Sequence, residues 1–232
     1  MAKIQHTVSG WEFPATPGPL VKICGLTRPG NALDCVRAGA HMIGLVFFEK
    51  SPRHLSVSQA RDITSTLPPH VLPCGVFVDA GYDTIMDTAQ RGGIRAAQLH
   101  GNEPPGLATQ LSRQGLVVIK AFFAARKPLL STAATYPDAD FCLAEYGKGV
   151  LPGGNAETWN YGLAADVGGH TALMLAGGLT PDNVGEAIAQ ARPAAVDASS
   201  GVENAPGVKD IEKVKAFISA VASAGRTVQG RS

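Results

Sequence analysis

From residue 21 onward, short and nearly continuous apolar runs alternate with longer amphipathic ones. The short runs are VKIC (21–24), MIGLVF (42–47), VLPCGVFV (71–78), RAAQLH (95–100), LVVIKAFF (116–123), DFCLA (140–144), TALMLA (171–176) and AAVDA (194–198). Their length and continuity predict buried strands. The runs between them predict helices: PGNALDCVRAGA, SVSQARDITSTL, YDTIMDTAQRG, EPPGLATQLSRQG, RKPLLSTAATY, PDNVGEAIAQAR and KDIEKVKAFISAVASAG. The sixth helical stretch, around TWNYGLAADVGG, is the weakest because glycines interrupt it. Helix-start signals include Thr27 before Pro29, Ser56 before Gln59, and Thr180 before Pro181. Gly39 and Gly115 follow helical runs as left-handed C-caps do.

Strand–helix alternation implies parallel strands joined by crossover helices. Eight units in about 210 residues fit a closed barrel, a fold that starts near ~200 residues. The predicted class is α/β, a single (β/α)8 TIM barrel over 21–232. Residues 1–20, rich in Pro and Gly, read as an extended N-terminal tail. An open doubly wound sheet is the competing architecture, and periodicity does not separate the two.

Composition narrows the partners. Hydrophobic residues make up 45% and charged residues 17% of the chain, which suits a large core and not a disordered one. A net charge of +1 gives no basis for binding nucleic acid or an anionic membrane. Cys24, Cys35, Cys74 and Cys142 are widely spaced and form no metal-binding pattern, so free thiols in a reducing cytoplasm are expected. The chain begins without the apolar stretch of a signal peptide, and no window reaches the ~18 apolar residues of a membrane span.

In such a barrel, chemistry gathers at the C-terminal ends of the strands. Along the first strand Lys22 and Cys24 share a face, about 7 Å apart, and the apolar Val21 and Ile23 take the other. An ammonium so placed is expected to lower the thiol pKa, and Cys24 is then a base or nucleophile; the alternative is a packed core cysteine. The other three cysteines read as structural. Lys50 and Arg53 follow the second strand, where an Arg fork suits a carboxylate, although a solvated loop is the commoner fate. Gln98 and His100 share the inner face of the fourth strand, His100 being either an acid–base group or a hydrogen-bonded structural histidine. Gly177 and Gly178 after the seventh strand, with Ser199, Ser200 and Gly201 after the eighth, form the loops in which such barrels often hold phosphate. Asp197 points inward beside Lys22 only if the barrel closes, and pairing the two is also their purely structural explanation.

The motifs KICGLT, GLVFFEKSPRHLS, CGVFVD, QLHGNEP, LAGGLTPDNVGEA and VDASSGVENAPGVKD resemble, in order, those of the phosphoribosylanthranilate isomerase family, over about residues 21–218. The resemblance implies an enzyme of tryptophan biosynthesis that performs an Amadori rearrangement of N-(5′-phosphoribosyl)anthranilate, an aldose–ketose isomerisation without cofactor or metal. It implies Cys24 as general base, Arg53 on the anthranilate carboxylate, and Asp197 beside the ribose. Lys22, Gln98 and His100 join Arg53 as candidate substrate-binding residues. Gly153 and Gly154 join Gly177, Gly178, Ser199, Ser200 and Gly201 as the candidate phosphate site. The implied partner is a small phosphorylated substrate, with the chain a monomer or homodimer.

One position departs from the family pattern. The general acid of the family is an Asp at the end of the sixth strand, and a gap-free count from Tyr136 puts that place on Ala144. The next residue, Glu145, supplies the carboxyl only if a bulge shifts the strand end by one residue. The glycine expected after Asn155 is Ala156, and Trp159–Asn160 stands where an aromatic–Asp pair is usual. Three readings follow: Glu145 replaces the Asp; Asp197 or water supplies the proton weakly; or the barrel keeps phosphosugar binding and has changed or lost catalysis.

Overall fold

The computed structural model describes residues 7–8, 11–13, 16, 18–147, 158–167 and 171–229. Eight parallel strands form a closed barrel. They are β1 (Leu20–Cys24), β2 (Met42–Val46), β3 (Leu72–Phe77), β4 (Ala96–Leu99), β5 (Val117–Phe123), β6 (Phe141–Glu145), β7 (Ala172–Leu175) and β8 (Ala195–Ala198). β8 pairs with β1 in a register that sets Asp197 opposite Lys22, so the open-sheet alternative is excluded.

Among the described residues six α-helices cover the outside: α1 (Pro29–Ala38), α2 (Val57–Thr64), α3 (Tyr82–Gly92), α4 (Pro105–Arg113), α5 (Val184–Ala191) and α6 (Ile211–Gln229). The start of α2 is a capping box in which Ser56 and Gln59 each take the other's backbone N–H. Gly39 closes α1 in the left-handed region, at φ 111°. Thr27 caps nothing, because its hydroxyl donates to the Gly207 carbonyl. α5 begins at Val184, later than Thr180–Pro181 suggests, with Asn183 as its N-cap residue.

The expected fifth helix is a 3₁₀ segment, Leu130–Thr135. Thr132 and Thr135 donate their hydroxyls to carbonyls three residues back, a local bond that competes with α-helical pairing. The weak sixth helix is another 3₁₀ segment, Tyr161–Ala164, started by Asn160 accepting from the Gly162 N–H.

Strand pleating divides the apolar residues into two sets. Val21, Ile23, Ile43, Ala97, Cys142 and Ala144 face the helices, together with Cys35 of α1. Leu20, Met42, Leu72, Cys74, Val117, Phe141, Leu143 and Ala195 face inward. Phe13, 3% exposed, packs into this inner set at the N-terminal ends of the strands. The chain before β1, expected to be an extended tail, therefore places one aromatic ring over the barrel floor.

Candidate active site

The C-terminal mouth holds a pocket lined by Cys24, Arg53, Gln98, His100, Glu145, Gly177, Gly178, Asp197, Ser199, Ser200 and Gly201, with apolar walls from Val46, Phe48, Val76 and Val78. Nearly the whole set expected from the sequence converges there. Gly153 and Gly154 lie outside the described residues. Lys50 is exposed and does not line the pocket. A wider groove lined by Trp11, Arg61, Met86 and Arg95 holds none of the expected residues.

Lys22 sits below the pocket rather than on its wall. It is fully buried and donates to Asp197 Oδ2 at 2.9 Å. Burial opposes its charge, but Asp197, with smaller help from the two nearby cysteines, carries its pKa above the ordinary lysine value. The second Asp197 oxygen, Oδ1, is buried without a protein partner.

Cys24 stands opposite Gly44 of β2, and a Cβ on residue 44 would come within 2.6 Å of the Cys24 sulfur. Glycine there is what makes room for the thiol. The expected lowering of the Cys24 pKa is not observed. Burial pushes the thiol up from its ordinary value, and Lys22 offsets this only in part, the nearby Asp197 carboxylate adding to the rise. Burial thus favours the thiol over the thiolate at Cys24.

Glu145 reaches the pocket without a bulge. The pairing of β5 with β6 runs unbroken through Phe122–Ala144 and Phe123–Glu145. Phe141, Leu143 and Glu145 therefore point inward while Cys142 and Ala144 pack against the helices. The gap-free count to Ala144 lands on the outer face, and the inward position at the strand end is Glu145. Its Oε2 lies 3.3 Å from His100 Nε2. His100 Nδ1 is 2.9 Å from Gln98 Nε2. With the amide donating, Nδ1 accepts, and Nε2 is the ring nitrogen that faces Glu145. His100 Nε2 and Gln98 Oε1 have no aligned hydrogen-bond partner, as is true of Asp197 Oδ1. Gln98 Oε1 and Asp197 Oδ1 thus offer buried acceptors at the pocket, and His100 Nε2 faces the Glu145 carboxylate.

The loops expected from the sequence to hold phosphate, Gly177–Gly178 and Ser199–Gly201, lie together on the pocket wall. Gly177 and Gly178 adopt φ of 89° and 65°, the left-handed region that glycine enters without strain. The segment after the sixth strand supports this loop: Trp159 Nε1 donates to the Ala176 carbonyl at 3.0 Å and the Tyr161 hydroxyl to that of Gly177 at 3.0 Å. Sequence reasoning missed this role, because an aromatic in an interrupted helix carries no signal of what it will touch. Glu203 and Lys209 were also missed. Arg53 forms a bidentate pair with Glu203, which Lys209 joins. Among the described residues no group of three or more His, Cys, Asp or Glu side chains is arranged to hold a metal ion.

A closed parallel barrel with a polar, partly unsatisfied pocket at its C-terminal mouth is the arrangement of a (β/α)8-barrel enzyme. Residues 21–220 match the family model for N-(5′-phosphoribosyl)anthranilate (PRA) isomerase. The chain belongs to that family of isomerases. It is 46% identical to the N-(5′-phosphoribosyl)anthranilate isomerase of Desulfatibacillum aliphaticivorans, over 91% of this chain and 96% of the relative. It is similar to the crystal structure of the Thermotoga maritima enzyme, with TM-score 0.81 and 37% identity over 88% of this chain and 99% of that one. A further crystal structure of phosphoribosyl anthranilate isomerase, bound to reduced 1-(o-carboxyphenylamino)-1-deoxyribulose 5-phosphate, matches with TM-score 0.78 and 36% identity over 88% and 99%.

Proposed function

We propose that this isomerase of tryptophan biosynthesis converts N-(5′-phosphoribosyl)anthranilate to 1-(2-carboxyphenylamino)-1-deoxyribulose 5-phosphate, with Glu145 as general acid and Cys24 as general base. Glu145 protonates the furanose oxygen; the C1′–O bond breaks and the nitrogen lone pair forms the protonated Schiff base. Cys24, as thiolate, removes the C2′ proton, and the electron pair moves to give the enolamine. Proton return at C1′ and loss of the hydroxyl proton yield the ketone, so the step is an isomerisation with no external oxidant or reductant.

The observation that carries this reading is the inward placement of Glu145, across the mouth from Cys24 in one pocket. It removes the reason for supposing that the acid is missing, and with it the case for a barrel that only binds. His100 orients the Glu145 carboxyl and is itself held by Gln98. Lys22 fixes Asp197 so that its free oxygen faces a ribose hydroxyl. Arg53 serves the anthranilate carboxylate, and the Gly177–Gly178 and Ser199–Gly201 loops serve the phosphate.

The test is loss of substrate fluorescence on purified protein and on Glu145→Gln. Turnover by the native chain with a drop of about 100- to 10,000-fold in the variant is expected for a general acid. Unchanged turnover in Glu145→Gln would reassign the acid to Asp197 or water, and no turnover by the native chain would end the isomerase reading.

A further inference from the structure

The loop after β8 carries a buried ionic group that the chemistry above leaves unused. Glu203 and Lys209 pair across a short antiparallel ribbon, Glu203–Ala205 against Val208–Lys209. The ribbon is docked on α1, where Asn31 exchanges two hydrogen bonds with the Lys209 backbone at 2.7 and 3.0 Å. From this anchor Glu203 takes one whole edge of Arg53: Nε donates to Oε1 at 2.9 Å and Nη2 to Oε2 at 2.6 Å. Oε1 also accepts from Lys209 Nζ at 2.7 Å and from the Gly207 N–H at 3.1 Å. Lys209 Nζ donates in turn to the Ser199 carbonyl at 3.1 Å, and the Ser199 hydroxyl to the Cys24 carbonyl at 3.1 Å. One carboxylate thus links the arginine, the phosphate loop and the strand that ends at Cys24.

A guanidinium offers two forked edges, and Glu203 leaves the Nη1 side for a ligand while Arg53 lines the pocket. A long side chain that is already held gives up less freedom when it captures a carboxylate. We propose that Glu203 is the positioning residue of the substrate-carboxylate site, gripping Arg53 by its Nε/Nη2 edge and, through Lys209, tying that grip to the Ser199 phosphate loop. The proposal rests on the reading of Arg53 as the carboxylate-binding arm. Burial lowers the Lys209 pKa and the Glu203 carboxylate opposes that, so the same carboxylate that grips Arg53 also holds the ammonium at the Ser199 carbonyl.

The experiment measures binding of two phosphorylated anilino-ribitols, the reduced product with its ortho carboxylate and the same compound without it. In the native chain the carboxylate strengthens binding. Glu203→Ala is expected to cut that preference about tenfold through the carboxylated ligand alone, the scale of one charge-assisted hydrogen bond. It should raise KM with kcat kept within about twofold. Glu203→Gln, isosteric and still an acceptor for one Arg53 N–H, retains part of the preference and decides the matter if the alanine variant does not fold. Full preference in both variants, or an equal loss for both ligands, overturns the proposal. A native chain that binds the two ligands equally overturns the Arg53 reading itself, a different failure.

Discussion

The two ends of the barrel are made by the same strands and the same pleat, yet they differ in kind. At the N-terminal end the inward positions are Leu20, Met42, Leu72, Val117, Phe141 and Ala195, sealed by Phe13. At the C-terminal end they are Cys24, Gln98, His100, Glu145, Asp197 and Ser199, and Gln98 Oε1 and Asp197 Oδ1 lack hydrogen-bond partners among the described residues. Lys22 lies between, fully buried and dependent on Asp197 for its charge. An apolar floor stabilises by removing area from water, whereas unpaired buried polar atoms and a committed ion pair cost free energy. The floor therefore supports a mouth that is poised for a ligand at the expense of stability.

Breaking the mouth should leave the floor untouched. Cys24→Ala is expected to lower kcat by up to about 10,000-fold in the fluorescence assay, while the melting temperature and the binding of the reduced product change little. Turnover retained in that variant would remove Cys24 as base. Breaking the floor should do the reverse: Phe13→Ala is expected to cost about 3–5 kcal/mol in denaturant unfolding, with kcat/KM of the remaining folded protein unchanged. A loss of activity per folded molecule would show that the two ends are coupled.

The smallest effect is in pH dependence. Burial holds the Cys24 thiol above its ordinary value of 9.0, so the thiolate fraction keeps growing with pH through neutrality. If chemistry is rate-limiting, log kcat/KM is expected to rise with pH with a slope of about one until the enzyme unfolds or the limb levels above that value. A plateau near pH 7 would place the working base elsewhere or show that ligand binding lowers the thiol pKa.

Much of this was legible in the chain. Alternating apolar and amphipathic runs specify eight strands and their order because burial on both faces of a parallel sheet demands continuous apolar stretches. Period-two alternation placed Lys22, Cys24, Gln98, His100 and Asp197 on the inner face, where the structure has them. The fifth helical stretch, RKPLLSTAATY, was harder: Thr132 and Thr135 carry helix-compatible spacing, and only their local hydroxyl bonds decide for 3₁₀.

What the sequence by itself determined is the repeat, the strand faces and the residue types at the mouth. All of these follow from local periodicity. Tertiary structure decided the rest. The unbroken β5–β6 register turned Glu145 inward and Ala144 out, which no count along one strand could reveal. Desolvation outweighed the ammonium beside Cys24, and closure set the opposing Asp197 carboxylate next to the same thiol. Arg53 and Glu203, 150 positions apart in sequence, meet only because the loops after β2 and β8 flank the same mouth. Pairings of that kind depend on which surfaces the closed barrel brings together, and a linear pattern carries no record of them.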